Sequence, residues 1–399
     1  MADTPWLTIV GLGEDGPDGL PAASRKALDD AQIVMGAARH LGLLPYLNAK
    51  TIEWPVPFAD GLPMLITQRG TPTVVLASGD PFWHGAGSTI AALLESSEYR
   101  CLPAPSTMSL AAAALGWPLD QTPTIGLHAA PFARLRPHLH AGQRALVTVR
   151  DGAAVSGFAN WLSDLGFGDT TLHILEALGG PRQRIRQALA SDMTFRDIQH
   201  PVCIGLDISG NGAVIPLSSG RPESLFDHDG QITKQPVRAL TLSALAPLAG
   251  EHLWDIGGGS GSISIEWLWA HPANRATIIE TDPTRAERIS ANASQLGVDR
   301  LTVITGTAPE ALRDLPSPDA VFIGGGLSHE MLESVWTIIP AQTRLVANAV
   351  TLESEAVLAN WHGTKGGDLT RIELAHAKPL GRKHGWKSSY PIVQWSVRK

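Results

Sequence analysis

From end to end the chain alternates short apolar runs with stretches in which apolar residues recur every three to four positions, and glycine-bearing turns separate most of them. Short apolar runs bounded by turns read as buried strands, and the helical period between them reads as helices packed against those strands. In the first half this predicts strands at 7–10, 33–35, 73–77, 100–103, 144–149, 172–174 and 202–206. The clearest helix is 153–165, where Val155, Phe158, Ala159, Leu162 and Leu165 share a face and Gly166 ends the run.

Between Asp207 and Arg238 the periodicity fails, and Gly210, Asn211, Gly212, Pro216, Ser218, Ser219, Gly220 and Pro222 accumulate. This divides the chain into a first domain (1–210), a linker (211–227) and a second domain (228–399). The alternation then restarts, with strands predicted at 253–256, 277–280, 301–304, 320–323 and 344–348 and helices in the gaps. Segments 369–377 and 391–397 are extended with no helical pattern between them, and they are expected to pair antiparallel at one end of the sheet. Strand-helix units in succession are the pattern of an α/β fold with parallel sheets.

Composition narrows the function classes. The 399 residues carry 31 Lys+Arg against 38 Asp+Glu, a net charge of −7, with 44% hydrophobic residues, which describes a globular chain and argues against a phosphate-neutralising nucleic-acid binder. No apolar run approaches the roughly 20 residues that span a bilayer, and the N-terminus lacks a basic region ahead of its apolar run, so neither a membrane partner nor a signal peptide is expected. Two cysteines, Cys101 and Cys203, exclude a disulfide framework and a thiolate metal cage, which fits a cytoplasmic protein with no metal.

The strongest chemical signal is Leu253-Trp254-Asp255-Ile256-Gly257-Gly258-Gly259-Ser260-Gly261, a strand running into a glycine turn and then a helix. A dinucleotide fingerprint places glycines at Gly-x-Gly-x-x-Gly, whereas the sixth position from Gly257 is Ser262. The loop therefore suits a nucleoside with an amino-acid tail better than a pyrophosphate, with Asp255 placed to hold an ammonium group. Glu280 ends the next strand, where a carboxylate accepts bonds from ribose hydroxyls. The plainer alternatives are a tight turn and a solvated strand end.

These residues resemble the class I S-adenosylmethionine-dependent methyltransferases over about residues 228–399. The resemblance implies a Rossmann-like domain with a terminal antiparallel strand pair, cofactor contacts at Asp255, Gly257, Gly259, Gly261 and Glu280, and an adenine-contacting loop at Thr307 and Ala308. Ile323-Gly324-Gly325-Gly326 stands where nucleic-acid amino methyltransferases carry an Asn/Asp-Pro-Pro-aromatic motif for a flipped base. Gly324 and Gly325 instead leave an open floor for a bulky substrate, or simply turn the chain into the next helix.

The first domain carries a second set of loops: Gly11-Leu12-Gly13-Glu14, Ser78-Gly79-Asp80-Pro81 and Pro105-Ser106-Thr107, each after a predicted strand. Together they resemble the tetrapyrrole methylases over about residues 5–210, another S-adenosylmethionine-dependent class, whose fold has two α/β lobes. That resemblance implies cofactor contacts at Gly11, Gly13, Gly79, Asp80, Ser106 and Thr107. Glu14 departs from the proline that many relatives carry. Asp80 is alternatively an Asx-type turn before Pro81, and His128 lines the cleft or is structural.

The order of the two domains resembles the fused, decarboxylating precorrin methyltransferases of cobalamin biosynthesis. The resemblance implies two S-adenosylmethionine-dependent methylations of a small-molecule tetrapyrrole, at C5 by the first domain and at C15 by the second, with loss of the C12 acetate carboxyl, taking precorrin-6B to precorrin-8. It also implies homo-oligomerisation. Candidate substrate groups are Lys234 and Arg238, four apart and so on one helix face, with Gly324, Gly325 and Asn348. Asn348 alternatively caps the following helix. Arg382-Lys383-His384-Gly385-Trp386-Lys387 is either a carboxylate clamp or a solvated basic hairpin. No catalytic residue is assigned. A nicotinamide oxidoreductase, suggested by Glu280 and the glycine turn, and a non-catalytic ligand-binding module are the competing readings.

Overall fold

The computed structural model describes residues 5–83 and 85–399. They group into two units: the residues up to Ala130 with His138–Ala213, and Pro131–Pro137 with Val214–Lys399. The short excursion 131–137 belongs to the second unit through Arg134, which donates to both oxygens of Asp299 at 2.9 and 3.0 Å.

In unit 1, β1 (Leu7–Leu12), β2 (Ile33–Gly36), β3 (Lys50–Glu53), β4 (Thr73–Ser78) and β5 (Tyr99–Leu102) form a parallel sheet of order β3-β2-β4-β1-β5. Every residue of β1 is buried, because alternate side chains enter different cores. Leu7 and Ile9 pack with Met35 and Val75 on one face, while Val10 and Leu12 pack with Val34, Val74 and Leu76 on the other. Coverage on both faces is why the strand reads as an unbroken apolar run.

The second sheet of unit 1 holds β6 (Thr124–Gly126), β7 (Arg144–Thr148), β8 (Thr171–Glu176), β9 (Arg184–Leu189) and β10 (Val202–Asp207), in the order β6-β7-β10-β8-β9. Here the parallel expectation fails: only β6 and β7 pair parallel, and β10 runs antiparallel to both β7 and β8. The strand-helix-strand pattern is nevertheless real. The helix Gly152–Asp164 connects β7 to β8, which point the same way, and β10 returns between them. That helix starts on Asp151, whose carboxylate accepts the Ala154 N–H at 2.8 Å, and stops before Gly166 at φ +84°. β9 has no counterpart in the sequence reading, because Arg184-Ile185-Arg186-Gln187-Ala188-Leu189 is too polar. Arg184 and Arg186 instead pair with the wholly buried Glu176 of β8 at 2.7 and 2.9 Å.

In unit 2, β11 (His252–Ile256), β12 (Arg275–Glu280), β13 (Thr302–Thr305), β14 (Ala320–Ile323) and β15 (Arg344–Ala349) are parallel. The chain closes with β16 (Asp368–Ile372), β17 (Ala375–Leu380), β18 (Lys383–Ser388) and β19 (Ile392–Arg398), giving the sheet order β13-β12-β11-β14-β15-β19-β16. The antiparallel pair expected at the sheet end is β16 with β19. The segment read as one strand, 369–377, breaks after Ile372, and β17 pairs with β18 in a separate exposed hairpin. Between β13 and β14 a short 3-10 turn at Glu310–Leu312 replaces the expected helix. Trp336, Trp361 and Trp395 pack with ring centroids 6.0 to 6.4 Å apart in the core beneath β15 and β19.

The stretch read as a linker is anchored from 214 onward. Ile215 and Phe226 lie in the core of unit 2. Glu266, wholly buried on the helix Ser262–Ala270, accepts the N–H groups of Gly220 and Arg221 at 2.8 and 2.9 Å. It also accepts from Arg221 Nη1 at 3.1 Å and from Arg238 Nε at 2.7 Å. Four bonds saturate a carboxylate. The remaining Arg238 nitrogens donate to the carbonyls of Thr233 and Arg221, so this fully buried guanidinium is spent inside the protein. Arg238 is therefore a structural cation and not the substrate clamp that its spacing from Lys234 suggested. Because removing one partner strands a buried charge, Glu266→Ala should destabilise unit 2 by about 3–5 kcal/mol. Lys234→Ala, at an exposed ion pair, should change stability by less than ~1 kcal/mol. Denaturant unfolding of the two variants checks the contrast, and equal losses would contradict it.

Candidate functional site

In unit 1 the order β4-β1-β5 brings three loops to one sheet edge, since Leu12 is level with Ser78 and Val10 with Leu102. The backbones touch there. A Cβ on Gly11 would lie 2.0 Å from the Gly79 carbonyl oxygen and 2.5 Å from the Ala104 nitrogen, and Gly79 itself sits at φ +51°. The Gly79 N–H donates to Leu12 at 3.0 Å, and the Ala104 N–H donates to Gly79 at 3.1 Å. Ser106 caps the helix Thr107–Leu115 by accepting the Ser109 N–H at 3.0 Å. One Asp80 oxygen accepts the Phe82 N–H at 2.9 Å, an Asx-type turn, while Asp80 also lines the adjoining cavity.

That cavity, about 550 Å³, brings Asp80, Ser106 and Thr107 together. A smaller one of about 60 Å³ meets Gly13, Glu14 and Gly79. The walls of the larger hold residues the sequence reading missed: Arg39 and His40 after β2, aromatic Trp54 and Phe58, and Arg150 and His200 from the second sheet. His128 lines it as well, with Nδ1 3.2 Å from Thr148 Oγ1. The antiparallel return of β10 explains His200. Cys203 is paired with Thr148, so residues ahead of β10 lie beside those that follow β7. Nothing in the local pattern marks that reversal. Gly36-Ala37-Ala38-Arg39-His40, a strand end followed by a helix, was the available signal for Arg39.

In unit 2, Gly257, Gly259 and Gly261 all take positive φ, and a Cβ on Gly257 would lie 2.7 Å from the Gly325 nitrogen. The loops after β11 and β14 are thus in backbone contact. Asp255 is buried beneath them, its Oδ2 accepting from Ser264 Oγ at 2.7 Å and its Oδ1 buried without a partner. Burial, opposed by the Ser264 bonds and reinforced by the nearby Glu280, pushes its carboxyl up to about 7. Glu280 Oε2 accepts the Gly259 N–H at 2.9 Å, and Oε1 accepts the Asp282 N–H at 3.1 Å. Capacity for a further donor remains on Oε2. Because Glu280 is level with Thr305, the turn carrying Thr307 and Ala308 lies beside it, and the Gly306 N–H donates to the Glu280 carbonyl at 2.9 Å.

The other substrate candidates fare differently. Lys234 is exposed and bridges to Glu223 at 3.2 Å. Asn348 takes neither expected role: its Nδ2 donates to Thr241 at 3.0 Å, its Oδ1 accepts from Gln394 at 2.9 Å, and the following helix is capped by Thr351. It is a packing tie between β15, β19 and the helix Gln235–Leu245. The basic 382–387 segment matches the solvated-hairpin alternative, with Trp386 79% exposed.

Two family models match the chain: tetrapyrrole (corrin/porphyrin) methylases over residues 6–194, and a precorrin methyltransferase domain over 224–399. A Sinorhizobium protein named precorrin-6Y C(5,15)-methyltransferase (decarboxylating) is 47% identical over 99% of this chain and 97% of its own length. The chain belongs to the precorrin-6Y C5,15-methyltransferase (decarboxylating) family. A Mycobacterium tuberculosis protein of that name is 39% identical over 98% of this chain and 100% of its own. The Salmonella typhimurium cobalt-precorrin-6B C(15)-methyltransferase (decarboxylating) is 31% identical over 42% of this chain and 89% of its own. Membership in the precorrin-6Y C5,15-methyltransferases bears out the family resemblance, the α/β fold class and the enzymatic reading. These relatives support neither the oxidoreductase nor the non-catalytic module.

The orphaned Asp255 oxygen has a measurable consequence in the ligand-free protein. An unfolded aspartate titrates near 4, so between about pH 4 and 7 the folded state keeps a proton that the unfolded state has lost. The stability this contributes is complete below about pH 4 and is lost as pH rises through about 7. Asp255→Asn never ionises, so its melting temperature should gain on the parent's between about pH 5 and pH 8. Parallel pH profiles for the two proteins would refute the assignment.

Proposed function

We propose that unit 1 methylates C5 of precorrin-6B and unit 2 methylates C15 and removes the C12 acetate carboxyl, both with S-adenosylmethionine, giving precorrin-8. The observation that carries this is Asp255 Oδ1: a buried carboxylate oxygen with no partner, under a loop of three positive-φ glycines and one strand from Glu280. A buried unpaired acceptor is costly. A ligand bringing an ammonium group to Asp255 and ribose hydroxyls to Glu280 removes that cost. Thr307 and Ala308, on the turn beside Glu280, contact the base in this reading. In unit 1 the corresponding cradle is Gly11, Gly13 and Gly79 with Asp80, Ser106 and Thr107.

The bound donor supplies an electrophilic methyl group. The protein's part is to hold donor and ring carbon in line, which is worth more here than any covalent assistance. Gly324 and Gly325 put backbone, with no side chains, at the floor where the macrocycle meets the donor. Once C15 carries its methyl, cleavage of the acetate C–C bond releases carbon dioxide and leaves the electron pair in the conjugated ring system. Keeping that carboxylate oriented and water excluded is the remaining task, and Lys234, paired with Glu223 in the ligand-free protein, is the cation we assign to orienting it. Unpaired cysteines, with the buried Cys203 thiol pushed up to about 12, fit a cytoplasmic setting. The family resemblance supports a homo-oligomer.

Full-length protein given precorrin-6B and S-adenosylmethionine should yield a product heavier by two methyls and lighter by one carbon dioxide. Asp255→Ala should yield a product with the C5 methyl alone and the carboxyl retained, and Gly79→Val one with the C15 methyl and the carboxyl lost. Mass spectrometry separates these products. Decarboxylation surviving in Asp255→Ala would overturn the assignment of unit 2.

A further inference from the structure

Arg39 contributes to the walls of both unit 1 cavities. Of its five N–H groups, three are spent: one on Glu14, and two on Ser78 Oγ at 2.8 Å and His40 Nε2 at 2.9 Å. An arginine only donates, so His40 Nε2 is an acceptor and the ring is neutral. Burial, with Arg39 beside it, holds its pKa down to about 4. His40 therefore orients Arg39 without adding charge.

Glu14 is shared. Its second oxygen accepts from Arg182, on the loop after β8, at 2.8 Å, and its side chain is only 6% exposed. The cluster thus holds two guanidiniums and one carboxylate, an uncancelled positive charge in a half-desolvated place. Its field reaches the cavity, since His200, which also lines it, is held below its usual pKa by burial first and by Arg39 next. Of the other charged groups on that cavity, Arg150 pairs with Asp151 at 2.8 Å, and the Asp80 carboxylate, one oxygen on the Phe82 N–H, stands on the same wall set as Arg39. Apolar Trp54, Phe58 and Val75 complete the wall.

We propose that Arg39 is the carboxylate anchor of unit 1: it receives one acetate or propionate arm of the macrocycle and so selects the meso carbon presented to the methyl donor, with Glu14 and Ser78 as its positioning partners. The proposal rests on the reading of unit 1 as the C5 methylase. With both Nη2 hydrogens spent, the donors in reserve are Nε–H and one Nη1–H, on different edges of the plane, so the guanidinium offers a carboxylate a single charge-assisted N–H bond from a direction already set. An apolar wall beside an uncancelled cation suits a flat ring fringed with anions.

The test uses the full chain with precorrin-6B, following C5 methylation by product mass. Arg39→Gln should raise the macrocycle KM of the C5 step about tenfold or more, a larger factor than any change in the KM for S-adenosylmethionine, and leave the decarboxylating C15 step unchanged. Arg39→Lys keeps the charge opposite Glu14, so the fold is retained, yet it loses the planar network with Ser78 and His40 that sets the donor's direction and should raise the same KM with kcat preserved. If Arg39 only neutralised Glu14, the double variant Glu14→Gln/Arg39→Gln would restore the parental KM. On the proposal the double variant stays as impaired as Arg39→Gln. A parental KM in Arg39→Gln, or rescue in the double variant, overturns the anchor. C5 methylation persisting in Gly79→Val overturns instead the reading of unit 1 beneath it.

Discussion

Both units depend on main chain meeting main chain at the carboxyl ends of parallel strands, so closely that no side chain fits between. Gly11 against Gly79 and Ala104 in unit 1, and Gly257 against Gly325 in unit 2, hold adjacent loops at distances a Cβ would break. Such contact aligns the strand-end amides and carbonyls into a rigid rim, and the side chains that follow them inherit fixed positions. Asp80, Ser106 and Thr107 converge on one cavity for this reason, as Asp255 and Glu280 converge on the second glycine loop. The sheets supply the platform, and the glycine contacts decide where the chemistry can sit.

The buried charges divide by how completely they are satisfied. Glu266 accepts four bonds and Arg238 spends its nitrogens on Glu266 and two carbonyls, a closed account that serves packing. Asp255 lacks a partner for one oxygen, and Arg39 with Arg182 outnumbers Glu14. Low local dielectric strengthens satisfied bonds and penalises unsatisfied groups by the same physics. These two incomplete clusters therefore stand to gain from a ligand, and each falls at a glycine rim.

Much of this was legible in the sequence for identifiable reasons. Strands buried on both faces announce themselves as apolar runs, and Leu253-Trp254-Asp255-Ile256-Gly257 states strand, acid and turn within one window. What escaped depends on contacts distant in sequence. β9 is held by arginines pairing with a buried glutamate, so its polarity hid it. β10 returns antiparallel between β7 and β8, which placed His200 on a cavity wall that no local pattern assigns to it. Arg238 and Asn348 had the right residue types at plausible positions, but spacing does not report whether a guanidinium or an amide is already consumed by Glu266, Thr241 or Gln394. Arg39 and His40 followed a recognised strand and were passed over because the adjacent glycine loops carried the stronger signal.

A net charge of −7 opposes a polycarboxylate at long range, and exposed charges are screened within about 10 Å at moderate salt. Attraction must therefore be local and come from cations that nearby carboxylates do not cancel. Sharing one glutamate between two arginines achieves this at the unit 1 cavity without leaving Glu14 unpaired. It also fixes the geometry, since Glu14 and Ser78 hold the guanidinium while His40, kept neutral, adds a bond but no competing charge. A freely moving surface lysine would attract the same carboxylates with no preference among them. Choosing one meso carbon of a ring whose edges are chemically alike requires an anchor whose direction is set before the substrate arrives, and on the unit 1 cavity the network of Glu14, Ser78 and His40 sets that direction for Arg39.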